Sequence, residues 1–303
     1  MNYREIINKN RYKTKIALFL YLLIYIFIGF LLDIVISNST SMTDTLYKII
    51  HLEQLPIATI SMLLFGFVSI IVSIFFFERI QLSGESYVKI EKDNKEYKDL
   101  YNILEELKIA AGLKYMPKLY VIKASYMNAF ASGWNEKNTM IAITEGLYEK
   151  LNRAELSAVI GHELTHIRNE DIKLTLVVGV VTNIMLFVTD WISFIIFRGN
   201  NNDGAKSAKL ILLVLHFVLP ILTLVIQMWL SRSREYMADA GSVELIRDPK
   251  AMASALKKIS LDYHANDYHD NNVTRKAAYI FEKGDNLFST HPSIKNRIKK
   301  LGF

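Results

Sequence analysis

Apolar residues in this chain are gathered into long blocks separated by polar stretches. Residues 57–77 (IATISMLLFGFVSIIVSIFFF) carry no charge, and about 21 residues at about 1.5 Å each cross a hydrocarbon core of about 30 Å. Residues 16–36 form a similar block with Asp33 near its end, and residues 210–230 another, interrupted by His216, Pro220 and Gln227. A fourth block, 174–197, contains Asp190, which costs a few kcal/mol at a bilayer centre unless it is paired or near the interface. In a chain of 303 residues, four such blocks leave too little polar sequence to cover them in a soluble core. The pattern predicts a mainly α membrane protein with about four transmembrane helices. Residues 1–77 form an anchor with spans at 16–36 and 57–77, and residues 78–303 form a polar domain interrupted by a membrane hairpin at 174–197 and 210–230.

Within the polar domain the periodicity changes. KLYVIK at 118–123 and TMIAIT at 139–144 read as strands, with NAFASG at 128–133 between them. They predict a small antiparallel sheet whose edge can align an extended chain by backbone pairing, or a hairpin that touches no substrate. From Ala154 the spacing of Leu156, Val159, Ile160 and Leu164, with no proline, predicts a helix.

That helix carries His162-Glu163-Leu164-Thr165-His166. Histidines four residues apart stack on one helix face and can reach one zinc ion, while Glu163, about 100° around, leans over the remaining coordination position as a candidate general base. At this composition the five-residue pattern arises by chance in roughly one chain in a hundred, so its helical setting carries much of the weight. The bland reading is a pair of core histidines beside a surface glutamate.

A catalytic zinc takes three protein ligands and keeps one position open. The candidate third ligand is Glu235, in SRSREYMADA at 231–240, a helix-compatible segment just after the last apolar block. The competing reading is the charged start of a juxtamembrane helix with Arg232 and Arg234 snorkelling. Asp239, one turn on, can accept the second ring N–H of His162 or His166. Asp171 lies just past the zinc helix and has no assignment beyond ending it. His291, before Pro292, either donates to a tetrahedral oxyanion or packs at the start of a helix with Ile294, Ile298 and Leu301 on one face. His51, His216, His264 and His269 lie in a connector, an apolar block and a polar loop, and are not candidate ligands.

The chain has no cysteine, so disulfides and thiolate zinc ligands are excluded. A net charge of +6 and a pI near 9.1 raise the question of nucleic acid. The basic residues, however, gather in the N-terminal tail and the last helix with no nucleic-acid motif, and an anionic membrane surface suits them better. Arg4, Lys9, Arg11, Lys13 and Lys15 against Glu5 place that tail in the cytoplasm. Segments 78–171 and 231–303 then face the cytoplasm and connectors 37–56 and 198–209 face out, although Arg198, Lys206 and Lys209 outnumber Asp203 in the second.

With HELTH at 162–166, SRSREYMADA at 231–240, NAFASG at 128–133 and STHPSIKNRIKKL at 289–301, the chain resembles the HtpX family of integral-membrane zinc metalloproteases, gluzincin-type enzymes distantly similar to CAAX prenyl proteases. The resemblance covers most of residues 115–303, and the amino-terminal anchors match in position only. It implies an α+β zincin-like catalytic domain and one zinc ion per chain held by His162, His166 and Glu235, with Glu163 as general base and Asn128 and Ala129 bordering the cleft. It also implies endopeptidase cleavage of misfolded membrane proteins at the bacterial cytoplasmic membrane, as part of protein quality control under stress. Two other readings are a membrane scaffold or holdase with a structural metal site, against which three ligands and a base argue, and prenyl-protein processing, for which no lipid-recognition signature is present.

Overall fold

The computed structural model describes residues 3–36, 41–177, 203–266, 279–280 and 292–303. It falls into two compact units, one of residues 1–14, 76–179 and 226–303 and the other of 15–75 and 180–225.

The smaller unit is built from α1 (Tyr3–Ile36) beyond its first turns, α2 (Met42–Ile50), α3 (Ile57–Leu82) up to residue 75 and part of a long helix, here α7 (Asp203–Ile246), whereas residues 3–14 of α1 and 76–82 of α3 belong to the larger unit. Tyr21, Tyr25, Ile28, Leu31, Ile34 and Val35 of α1 pack with Leu212 and Leu219 of α7. Asp33 is buried and accepts from the N–H groups of Ala58 and Thr59 at 2.9 Å and from the Thr59 hydroxyl at 2.7 Å. It therefore satisfies the first turn of α3, where orphan N–H groups favour a carboxylate. Gly29 permits this approach, since a Cβ there would lie 2.5 Å from Thr59 Cα. The outward faces are apolar, with Phe19, Phe65, Phe67 and Phe75 exposed. Only 17% of the apolar window of α3 is buried, so this helix is not the core of a water-soluble fold.

Among the described residues two helices, Glu5–Ile36 and Ile57–Leu82, are long and apolar enough to span a membrane. They contain the expected spans at 16–36 and 57–77. The block at 174–197 lies outside the described residues beyond 177, and the block at 210–230 falls within α7, whose shorter apolar stretch is Lys209–Leu219.

The larger unit holds β1 (Tyr87–Ile90), α4 (Lys98–Ala110), β2 (Lys118–Ile122), β3 (Ala129–Asn135), β4 (Asn138–Thr144), α5 (Glu145–Lys150), α6 (Arg153–Arg168), the end of α7, α8 (Pro249–Ala265) and α9 (Ile294–Lys300). The sheet has order β1-β2-β4-β3. The expectation of an antiparallel sheet is corrected here, because β2 and β4 are parallel and only the β1–β2 and β3–β4 pairs are antiparallel. The link 123–128 reverses the chain and sets β3 two strand positions away from β2, leaving a gap one strand wide. The β3–β4 hairpin reverses it again, and β4 fills the gap running the same way as β2. Local periodicity reports each strand but not this long-range choice.

Helix α6 starts at a capping box. The Asn152 side chain accepts from the Glu155 N–H and Glu155 returns to the Asn152 N–H. Buried Glu155 also takes Ser254 and Lys258 of α8, which fixes the helix entering the site. Eleven of its sixteen residues are buried, so its histidines face the interior.

Candidate metal centre

Two helices make the site by close approach. A Cβ at Gly241 of α7 would lie 2.4 Å from Thr165 Cγ2 of α6, so only glycine allows the backbones this near. Ser242 Oγ donates to the Ala158 carbonyl at 2.6 Å and sets the register. Glu235 and Asp239, two and one turns before these residues, are thereby delivered to His162 and His166.

The ring Nε2 atoms of His162 and His166 are 3.1 Å apart. Glu235 approaches the first at 3.5 Å and the second at 3.7 Å, and one donor atom from each of the three residues lies within 4.8 Å of the others. A tetrahedral ion with bonds of about 2.0–2.1 Å needs donors roughly 3.3 Å apart. The other ring nitrogens show which atoms are available. His162 Nδ1 sits 3.0 Å from Asp239, and His166 Nδ1 lies 3.0 and 3.1 Å from the two oxygens of Asp171. Asp171 hydrogen-bonds His166 at Nδ1, and Asp239 faces His162 Nδ1 at ion-pair distance although the alignment falls short of a formed hydrogen bond. Both carboxylates draw the ring proton to Nδ1 and leave Nε2 as a lone pair. Two lone pairs and a carboxylate converging at this distance repel one another unless a cation lies among them, so the donor set fits a metal ion. It is the only such group among the described residues.

The electrostatics point the same way. Burial alone would lower the pKa of His162, but Asp239 and Glu235 outweigh it and raise the value. Burial works against His166 as well, and Asp171 and Glu235 push it up to about 9. Burial raises the Glu163 carboxyl, which the two histidines offset in part. The site therefore favours added positive charge. Glu163 is buried and receives the Ala131 N–H, while its Oε1 has no hydrogen-bond partner among the described residues.

Asp239 is shared. Arg297 of α9 grips it with Nε at 2.8 Å and Nη2 at 2.6 Å, donates from Nη1 to the Ile280 carbonyl at 2.8 Å, and approaches Glu235 at 3.5 Å. The guanidinium is fully buried and holds the Asp239 carboxyl below its usual range although burial works the other way. Sequence reasoning missed Arg297, which reads there as one more cation in a basic helix. The available signal was its place between Ile294 and Ile298, on a helix whose apolar face must be buried. Asp171 was also missed as a histidine partner, since it lies past the helix end and reaches back only because Glu170 adopts a left-handed φ of 53°.

The remaining expected residues lie on or near the sheet. Asn128 is buried and used within the fold, its N–H donating to Thr144 Oγ1 at 2.8 Å and its Nδ2 to the Tyr263 hydroxyl at 2.7 Å. Ala129 opens the edge strand β3, and its carbonyl accepts the Ile280 N–H at 2.9 Å. His291 and His269 lie outside the described residues. His51 is exposed and stacks on Tyr47, and neither His216 nor His264 joins the cluster.

Comparison with known proteins places this geometry in context. The model of peptidase family M48 matches residues 94–302. A protease HtpX homologue of Helicobacter acinonychis is 49% identical over 306 residues, covering 99% of this chain and 98% of its own. One from Helicobacter pylori strain Shi470 is 48% identical over 305 residues, again covering 99% and 98%, and one from Thermoanaerobacter pseudethanolicus is 37% identical over 70% of this chain and 74% of its own. The crystal structure of Ste24p from S. mikatae is similar in fold, with a TM-score of 0.52 at 18% identity. The match covers 79% of this chain and 57% of that longer one.

Proposed function

The chain belongs to peptidase family M48 and is a membrane-bound metalloprotease, and from that premise we propose that it is a zinc endopeptidase in which His162, His166 and Glu235 hold one zinc ion and Glu163 is the general base. The observation that carries this reading is the convergence of two Nε2 lone pairs and one carboxylate beside Glu163, with both Nδ1 atoms on carboxylates. Three ligands leave a position for substrate, as a catalytic site requires and a structural site does not. The chemistry a bound zinc supplies is acidification of water, to a pKa around 7, and polarisation of the peptide carbonyl. Glu163 then takes the proton from the attacking water on Oε1 and passes it to the leaving amine. Asp239 and Asp171 keep the ring protons on Nδ1, so both Nε2 atoms remain donors.

Our reading of the substrate is an extended segment laid along β3. This is the last strand of the sheet. Its outer edge at Ala129 and Phe130 is paired with Ile280 and Tyr279, the type of bond a substrate strand makes, and the substrate pairs with the strand beyond Phe130. Asn128 and Ala129 border that cleft. Backbone pairing tolerates many sequences, which suits misfolded membrane proteins as clients of a quality-control enzyme.

Glu235→Ala is the direct test. Losing the third ligand and its charge lowers zinc retention at least tenfold, read as zinc per chain after mild chelation of the detergent-purified protein. A peptidase assay on the same sample falls in parallel, and zinc restores activity to chelated wild type only. Unchanged stoichiometry in the variant assigns the third ligand elsewhere.

The charge pattern supports a multi-pass protein of the bacterial cytoplasmic membrane with the catalytic domain and both termini inside. With no native cysteine, one introduced at exposed Ser83 is expected to react with an impermeant thiol reagent only after the membrane is opened. One at exposed Glu53 reacts in intact cells. Labelling of Ser83→Cys from outside reverses the orientation.

A further inference from the structure

The turn that carries Asp171 is gripped by the start of the chain. Residues 169–171 follow α6, and the strained Glu170, at a φ of 53°, aims Asp171 back at His166 Nδ1. A non-glycine residue in that region costs about 1–3 kcal/mol and persists only where its surroundings fix it. The first turns of α1 supply that fixing. Buried Asn10 donates from Nδ2 to the Asn169 carbonyl at 2.9 Å. Arg11 makes a two-pronged pair with Glu170, Nε to Oε2 at 2.9 Å and Nη2 to Oε1 at 2.5 Å, and Lys173 adds a bond to Glu170 Oε2 at 2.7 Å. Arg234, next to the proposed ligand Glu235, holds Thr175 Oγ1 at 2.7 Å and approaches the Asp171 carbonyl at 3.4 Å.

We propose that Asn10 and Arg11 are positioning residues for the metal centre, holding the turn 169–171 so that Asp171 keeps the proton of His166 on Nδ1 and its Nε2 directed at the ion. This rests on the reading of His166 as a ligand. It gives the polar start of α1 a role beyond charge: the chain's first turns and the zinc helix are joined, 159 residues apart in sequence, through two side chains. Arg11 is half exposed and an exposed ion pair alone contributes little, so the bidentate geometry and the buried Asn10 bond must act together.

The test follows the rate at which the zinc-loaded protein in detergent releases zinc to a coloured chelator. Asp171→Ala is expected to speed release roughly 10–100-fold, the usual cost of removing a carboxylate behind a ligating histidine. Asn10→Ala with Arg11→Ala speeds it about three- to tenfold, part of that range because Asp171 is displaced and not removed. Combined with Asp171→Ala, the pair adds nothing further. Arg11→Lys, which keeps the charge but not the two-pronged pair with Glu170, speeds release nearly as much as Arg11→Ala, and Arg11→Glu with Glu170→Arg recovers part of the wild-type rate. Arg153→Ala, which breaks an exposed pair with Glu106 at the other end of α6, leaves release unchanged. Arg11→Ala is also read alone, since loss of a half-exposed side chain leaves the fold intact. Release at the wild-type rate from the paired variant, or an effect that adds in full to Asp171→Ala, overturns the proposal. Wild-type release from Asp171→Ala itself overturns the underlying assignment of His166, so the two failures are told apart.

Discussion

Glu163→Gln retains its zinc and loses about 10²–10⁴-fold in peptidase activity, the range that a positioned general base contributes. The amide matches the carboxylate in shape and keeps one oxygen to accept the Ala131 N–H, so the fold is not disturbed. What disappears is basicity at the buried Oε1, the oxygen with no hydrogen-bond partner among the described residues. Burial raises the Glu163 carboxyl and thereby brings it closer to the working range of a base at neutral pH. The measurement is zinc per chain beside cleavage of an unfolded protein such as casein. Full activity removes Glu163 from the mechanism, whereas loss of both zinc and activity makes it a structural member of the site.

Most of this centre was legible because its spacing is local. A pair of histidines four apart needs only a helix to become a site, and the apolar positions around them specified that helix and its buried face. Glu235 lies 69 residues beyond His166, and its segment alone reads equally well as a charged helix start. The family resemblance of SRSREYMADA is what pointed to a ligand, while the next two residues, Gly241 and Ser242, let the helices touch. The sheet's strands were legible and its parallel pair was not, because alternation gives a strand's faces and says nothing about which neighbour it chooses. The partners of the proposed ligands were the hardest part. Asp171 depends on a left-handed residue that no propensity favours at glutamate, and Asn10, Arg11 and Arg297 act across long separations in sequence where surface charge is the default reading.

Arg297→Met is expected to destabilise the larger unit by about 3–5 kcal/mol, the cost of removing one partner from a buried ion pair. Methionine fills much of the volume, so the loss is electrostatic in origin. Asp239 keeps its buried carboxylate but loses both guanidinium bonds, Glu235 loses a cation at 3.5 Å, and the Ile280 carbonyl loses its donor. The sign of the pH dependence follows from Asp239. In the wild type Arg297 holds its pKa down, so the pair stabilises above the unfolded carboxylate value of about 3.9 and its contribution fades as pH falls through the folded value. In the variant, burial without a partner raises that pKa, and the penalty is complete near neutrality and shrinks as Asp239 is protonated. The difference in melting temperature between the two proteins in detergent therefore narrows as pH is lowered from neutrality. The double variant Arg297→Met with Asp239→Asn separates charge from packing. Asparagine removes the uncompensated charge and keeps an oxygen for His162 Nδ1, so the pair should be more stable than Arg297→Met alone. If the double variant melts lower than either single one, the cavity or the Ile280 carbonyl dominates, and Arg297 serves the packing of α9 more than the metal centre.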